Sequence, residues 1–161
     1  MEKYGKVLIS SEIPLKGRLE RFRIKIPSHM MHDALYYASL YVGDGHKMAA
    51  ESGILGTPSI LVSTRWDRTG NFMDFVKKYR TVEAFKEPRK ALSRAVEIMK
   101  ESKRYRKEWV KNANNLIEKK MDMTEFMIYF IEEYPESHRK IIAGENPFNK
   151  FIYKEARWNK D

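Results

Sequence analysis

The sequence predicts a parallel α/β sheet with helices appended, and three observations carry that prediction. Strand-like and helix-like segments alternate from Lys6 to Phe85, after which only helical patterns follow. Val7, Leu8 and Ile9 are apolar in succession, the pattern of a strand buried on both faces. The strand-like run of Leu40 to Val42 ends in Gly43-Asp44-Gly45 and passes into a helix-like stretch of small residues.

Each element has its own signal. Lys6 to Ser10 is the first strand. Phe22, Ile24 and Ile26 alternate with Arg23 and Lys25, giving a second strand with one wetter face, closed by Pro27. Ser28 can cap a helix that places Met31, Ala34, Leu35 and Ala38 on one side. The third strand, Leu40 to Val42, leads into a helix from His46 to Leu55. Gly56 stops that helix in the left-handed position, with Pro58 two residues on. Ile60 to Val62 form the fourth strand, Phe72, Phe75, Val76 and Tyr79 a short helix after Gly70, and Thr81 to Phe85 a weak fifth strand. Pro88 opens a helix through Met99 that buries Ala91, Leu92, Ala95 and Val96. Tyr105, Trp109, Ala113, Leu116 and Ile117 mark the apolar side of a basic helix. Asp122 and Glu125 have capping-box spacing ahead of the segment Phe126 to Ile131. That segment is apolar nearly all round, so other elements, a second domain or a subunit are expected to cover it. From Pro135 onward Phe148, Phe151, Ile152, Tyr153 and Trp158 follow no dominant period, and this tail is expected to dock on a partner. The expected organisation is a domain over 1–135 and a charged, aromatic tail over 136–161.

Composition narrows the function classes. With 42% hydrophobic and 33% charged residues the chain can bury a core, which argues against disorder. No apolar run approaches the roughly 20 residues needed to span a bilayer, and the Met-Glu-Lys start has no signal-peptide core, so a cytoplasmic protein is expected. The absence of cysteine excludes disulfides, thiolate catalysis and cysteine zinc sites. The net charge of +9 favours anionic partners. It is concentrated in two blocks, Lys16 to Lys25 at +4 and Lys100 to Lys120 at +5, which together equal the whole excess.

The Gly43-Asp44-Gly45 turn is the strongest candidate site. In an open parallel sheet, ligands bind beyond the carboxyl ends of the strands, where loops lead into helix N-termini. Gly43 and Gly45 let the backbone turn sharply and approach a ligand, and the free N–H groups of His46, Lys47 and Met48 carry a partial positive charge suited to phosphate. Lys47 adds a full charge, and Glu51 can accept hydrogen bonds from ribose hydroxyls. Close packing of the helix on the sheet accounts equally for Gly43, Gly45, Ala49, Ala50, Ser52 and Gly53, and both readings stand at this point.

The run MHDALYYASLYVGDGHKMAAESGILGTPSILVS, with KYGKVLISSE before it and MDMTEFMIYFIEEYP after it, resembles the C-terminal half of the domain-of-unknown-function family numbered 354. That family is regarded as glycosyltransferase-like with a GT-B fold. More distantly the segment is similar to UDP-N-acetylglucosamine 2-epimerase, whose D-S-G-G-x-x-E-E-A-P-x-L-G-x-P pattern matches at Asp44, Glu51, Leu55, Gly56 and Pro58. The resemblance implies a Rossmann-like nucleotide-binding domain of the GT-B C-terminal type that takes a nucleotide-sugar. In it Gly45, His46 and Lys47 meet the diphosphate, Glu51 holds the ribose, and residues near Ile26 to Ser28 lie by the base. The epimerase has two glycines where His46 and Lys47 stand. The family pattern also implies a first βα unit and a whole N-terminal domain upstream of this segment. Without them a central strand is missing between Lys6–Ser10 and Leu40–Gly43, to be supplied by rearrangement, by a partner chain or second copy, or by a longer reading frame. Catalysis between two domains is then not expected of this chain alone.

Other groups are candidates for the cleft: Ser28, His32, Asp44 and Arg65. His29 and His32 with Asp33 have the spacing of a metal pair but no third ligand at matched spacing, so no metal is expected, and no cofactor either. Arg65, Trp66, Asp67 and Arg68 follow the fourth strand at a carboxyl end, without the Thr-Glu-Arg signature of the epimerase loop. Two rival functions use other residues. Basic runs interleaved with Tyr105, Trp109 and Trp158 could follow a phosphate backbone and stack bases, as in single-strand nucleic-acid binding. Alternatively, Phe126 to Ile131 and the aromatic tail could serve an assembly subunit.

Overall fold

The protein is mixed α/β, with two small parallel sheets. The structure is a computed structural model that describes residues 2–68, 70–145 and 147–152. The chain divides into two compact units, Met1–Ala113 and Asn114–Asp161.

In the first unit β1 (Ile9–Ser10) and β2 (Arg23–Ile24) pair in parallel, Ile9 opposite Arg23 and Ser10 opposite Ile24. Both are shorter than the sequence predicts, because strand length is set by the partner available and not by apolar residues alone. Lys6 to Leu8 are not strand, Leu8 is exposed, and Phe22 ends a 3-10 turn, Gly17–Phe22. A second 3-10 turn, Ser28–Met30, leads into α1 (Met31–Tyr37). Ser28 lies inside that turn and caps no helix; Pro27 precedes it, and neither helix start has a side-chain cap.

The larger sheet follows. β3 (Tyr41–Gly43) leads into α2 (His46–Ile54), then β4 (Ser59–Val62), a 3-10 turn at Trp66–Arg68, α3 (Gly70–Met73), a π turn at Asp74–Lys78 and β5 (Glu83–Phe85). The strand order is β3-β4-β5, all parallel, with Gly43 opposite Leu61 and Leu61 opposite Ala84. Thr81 and Val82 precede β5 and are not part of it. α4 (Pro88–Lys100) and α5 (Ser102–Ile117) as far as Ala113 complete the unit, with Pro88 in the first turn of α4 as its fixed φ favours.

The alternation of side chains along each strand divides the core. On one face Ile60 is buried with Ala91, Ala95 and Ile98 of α4 and Tyr105 and Trp109 of α5, and Leu40, Val62 and Phe85 pack against them. On the other Leu61 is buried with Ala49 of α2, Phe72 and Val82, flanked by Tyr41, Trp66 and Ala84. A sheet covered on both faces needs apolar residues at successive positions, which Ile60-Leu61-Val62 supply. Leu92, expected in the core, is 54% exposed; the buried stripe of α4 is Ala91, Ala95 and Ile98.

Buried polar groups fasten this core. The Trp109 indole donates to the Thr81 carbonyl at 2.8 Å, Ser59 Oγ to Ala49 O at 2.8 Å, and Thr57 Oγ1 to Leu35 O at 2.8 Å. The Arg106 guanidinium donates to Ala38 O at 2.9 Å, to Tyr36 O at 2.6 Å and to Thr57 Oγ1, so it closes the C-terminus of α1. Burial holds Arg106 below the usual guanidinium range, against a weaker opposing effect of Tyr36.

In the second unit the Asp122 carboxylate accepts from the N–H groups of Thr124 and Glu125 and so caps α6 (Met123–Glu132), as its spacing predicts. Phe126 and Tyr129 meet the ring of Phe151, and Phe130 and Phe148 lie beside Phe126. α7 (Glu136–Ile142) follows, and Ser137 Oγ donates to Phe130 O at 2.7 Å. Of the covers expected for Phe126 to Ile131, the described residues of the chain supply only part: Met127, Ile128 and Ile131 are half exposed or more. A ten-residue helix packed along one side leaves its other side open, whatever its composition. Tyr153 and Trp158 lie outside the described residues.

Candidate functional site

The three strands of the larger sheet end on the same side, at Gly43, Val62 and Phe85, because they are parallel. The loop between β3 and α2 and the loop carrying Arg65 therefore open at one end of the sheet, which is where an α/β sheet presents a ligand site. Gly43, Asp44, Gly45, His46, Lys47 and Met48 are contiguous there, and Glu51 follows on α2.

At the start of α2 no side chain caps the helix; Gly45 is its N-cap, and the first bond of the helix is from Ala49 N–H to Gly45 O at 3.0 Å. The amides of His46, Lys47 and Met48 precede that bond and point out of the helix end. Lys47 is exposed. The His46 ring turns away from the loop and meets Phe72 edge-on at 4.9 Å, with Nε2 buried. What His46 offers a ligand is its N–H.

The glycines have different reasons. A Cβ on Gly43 would collide with the Tyr41 hydroxyl, so with the phenol in this place packing favours glycine there. Gly53 faces the Thr81 carbonyl, and a Cβ there would overlap that oxygen. Ala49, Ser52 and Gly53 are fully buried, so close packing accounts for this part of the helix. Gly45 is the exception. A Cβ there would lie 3.7 Å from the Tyr41 hydroxyl and 3.8 Å from the Met48 side chain, ordinary contact distances. Its φ of −80° suits any residue. Neither packing nor φ requires glycine at position 45, where only the N-cap preference favours it.

Tyr41 is the site residue that the sequence pattern hides. It reads as a core strand residue, yet two residues on, Gly43 shares its face of the strand, and the phenol lies over Gly43 and reaches the loop. The backbone of Gly45 lies close to that oxygen. Burial, followed by the charge of Asp44, pushes the Tyr41 phenol up to about 12, which keeps it a neutral donor. A Tyr-x-Gly at the end of a strand was the available signal.

The remaining candidates divide. Glu51 is partly buried on α2, and its Oε2 lies 3.5 Å from Nε2 of His32 on α1, so the structure brings these two together. Ser28, Asp44 and Arg65 are exposed. Beside Arg65, Asp67 pairs with Lys86 at 2.7 Å, and the hydrogen bond from Lys86 holds its carboxyl below the usual range. Among the described residues no three His, Asp or Glu side chains are grouped to hold a metal ion. A cleft of about 390 Å³ beside β5, lined by Val76, Arg80, Val82, Phe85, Glu108 and Trp109, shares no residue with the α2 loop.

The structure changes the weight of the basic helix. Tyr105 and Trp109 are 5% and 2% exposed, which leaves no face on which a base could stack. Arg104 of that helix is held by Glu101. Among the described residues no helix is long and apolar enough to cross a membrane. Comparison with models of known protein families, with curated proteins and with solved structures finds no match.

Proposed function

We propose that the chain is the nucleotide-sugar-binding half of a GT-B, glycosyltransferase-like or epimerase-like protein. The diphosphate is received by the amides of His46, Lys47 and Met48, Lys47 neutralises it, and Glu51 accepts the ribose hydroxyls. One observation carries the reading: Gly45, at the N-cap of an uncapped helix, is a glycine that neither packing nor φ requires and that only the modest N-cap preference for glycine over alanine favours. A ligand that approaches the backbone closely does explain it. The strand order supports the same reading. The pairs β2-β1 and β3-β4-β5 fit the Rossmann order 3-2-1-4-5-6 with its strand 1 contributed from elsewhere, by a partner chain or a further segment. Reaction chemistry would take place between this half and a second domain.

Calorimetric titration of the chain with UDP, UDP-sugars and other nucleoside diphosphates tests the capture step. Saturable binding that Lys47→Ala and Glu51→Ala each weaken supports the proposal. Unchanged affinity in both variants removes the assigned site, and salt-sensitive binding to single-stranded nucleic acid with no nucleotide response replaces the reading altogether.

A further inference from the structure

His32 and Glu51 stand on different helices, 19 residues apart in sequence, with Nε2 and Oε2 at 3.5 Å. His32 is 67% exposed and Glu51 26%, so the pair sits at the rim, with the carboxylate on the inner side. α1, which carries His32, is not loose. Leu35 is buried, and the Leu35 carbonyl accepts from Thr57 while those of Tyr36 and Ala38 accept from Arg106. The imidazole, carried on a backbone held in place, narrows the rotamers open to the partly buried Glu51 side chain.

Accepting two vicinal hydroxyls requires a carboxylate in one orientation, and a free Glu loses rotamer entropy in adopting it. A neighbour 3.5 Å from Oε2, in contact without a hydrogen bond, removes part of that loss beforehand and leaves the lone pairs of both oxygens for the ligand. We infer that His32 is a positioning residue that orients Glu51 for a 2′,3′-diol, and so makes the site selective for ribonucleoside over deoxyribonucleoside diphosphates. This rests on the proposed nucleotide site. As a plain ion pair between two helices, exposed to this degree, the contact would be worth under about 1 kcal/mol to the fold and nothing to selectivity.

The test uses the full chain and three probes, UDP, 2′-deoxy-UDP and inorganic pyrophosphate, titrated by calorimetry against wild type, His32→Ala, His32→Gln and Glu51→Gln. Wild type is expected to prefer UDP over 2′-deoxy-UDP by about tenfold or more, the loss of one hydrogen bond to a charged acceptor. His32→Ala should reduce that preference several-fold while pyrophosphate affinity stays unchanged. His32→Gln, whose amide nitrogen can reach the place of Nε2, should restore it, and His32→Ala should add nothing in the Glu51→Gln background. If UDP binds selectively and His32→Ala is indistinguishable from wild type, the inference fails while the nucleotide site stands. If His32→Ala weakens pyrophosphate equally, or its effect persists without the Glu51 carboxylate, His32 does not act through Glu51. If no nucleotide binds at all, both fall together.

Discussion

Replacing Gly45 by Ala separates a glycine kept for the fold from one kept for a ligand. Three terms set the stability change. Sterically, the new Cβ meets the Tyr41 hydroxyl at 3.7 Å and Met48 at 3.8 Å, which costs nothing. Conformationally, φ of −80° and ψ of 110° are allowed to alanine, and the stiffer unfolded chain favours the variant by about 0.4–1 kcal/mol. As an N-cap, alanine is poorer than glycine by roughly 0.5–1 kcal/mol. The terms nearly cancel, so urea denaturation should place Gly45→Ala within about 1 kcal/mol of wild type. Gly43→Ala is the contrast, because its Cβ runs into the Tyr41 hydroxyl and the ring must move. It should cost about 1–3 kcal/mol, as overpacking does. In calorimetry Gly45→Ala should nevertheless weaken UDP and pyrophosphate about tenfold or more, since a methyl group stands where the phosphate approaches the amides. Loss of about 2 kcal/mol or more of stability in Gly45→Ala would show that position 45 serves packing after all. Unchanged affinity in a well-folded variant would refute close approach of a ligand.

Three further outcomes are expected. Gly53→Ala should destabilise by about 2 kcal/mol or more in urea denaturation, because the Thr81 carbonyl occupies the place of the new Cβ and both are backbone-anchored. Arg106→Ala should cost about 2–3 kcal/mol by the same assay, and Arg106→Lys most of that, because a single ammonium cannot serve Tyr36 O, Ala38 O and Thr57 Oγ1 together. Tyr41 titrates at about 12 in the folded protein and near its ordinary value of about 10 when unfolded, so its contribution is complete below pH 10 and is lost as pH rises toward 12. Wild type should therefore lose more stability between pH 10 and 12 than Tyr41→Phe; equal losses would show that the Tyr41 phenol is not shielded.

The legible part of the candidate site was its contiguous part. Gly43 to Met48 and Glu51 lie within nine residues, and a strand ending in glycine ahead of a helix announces the loop by itself. Tyr41 was hidden because its role depends on how far a phenol reaches along the strand, and the His32–Glu51 contact because it joins two helices. Neither packing nor ligand binding could be chosen from the small residues, since both demand them. Only the surroundings of each glycine tell Gly53, set against backbone, and Gly43, set against the Tyr41 ring, from Gly45, which meets neither closely.

By itself the sequence determined what acts over four or five residues. It gave the alternation of strands and helices, the left-handed stop at Gly56, with φ of 71°, the proline start of α4, the Asp122 cap and the buried stripe of Tyr105, Trp109 and Ala113. Each follows from local backbone sterics or a helical period, and these do not depend on the rest of the chain. The tertiary structure alone decided the lengths of β1 and β2, the separation into two sheets, the exposure of Leu92 and of one face of α6, and the burial of Arg106 against carbonyls about 70 residues away in sequence. A strand extends only as far as a neighbour offers it hydrogen bonds, and a side chain is buried only where another element covers it.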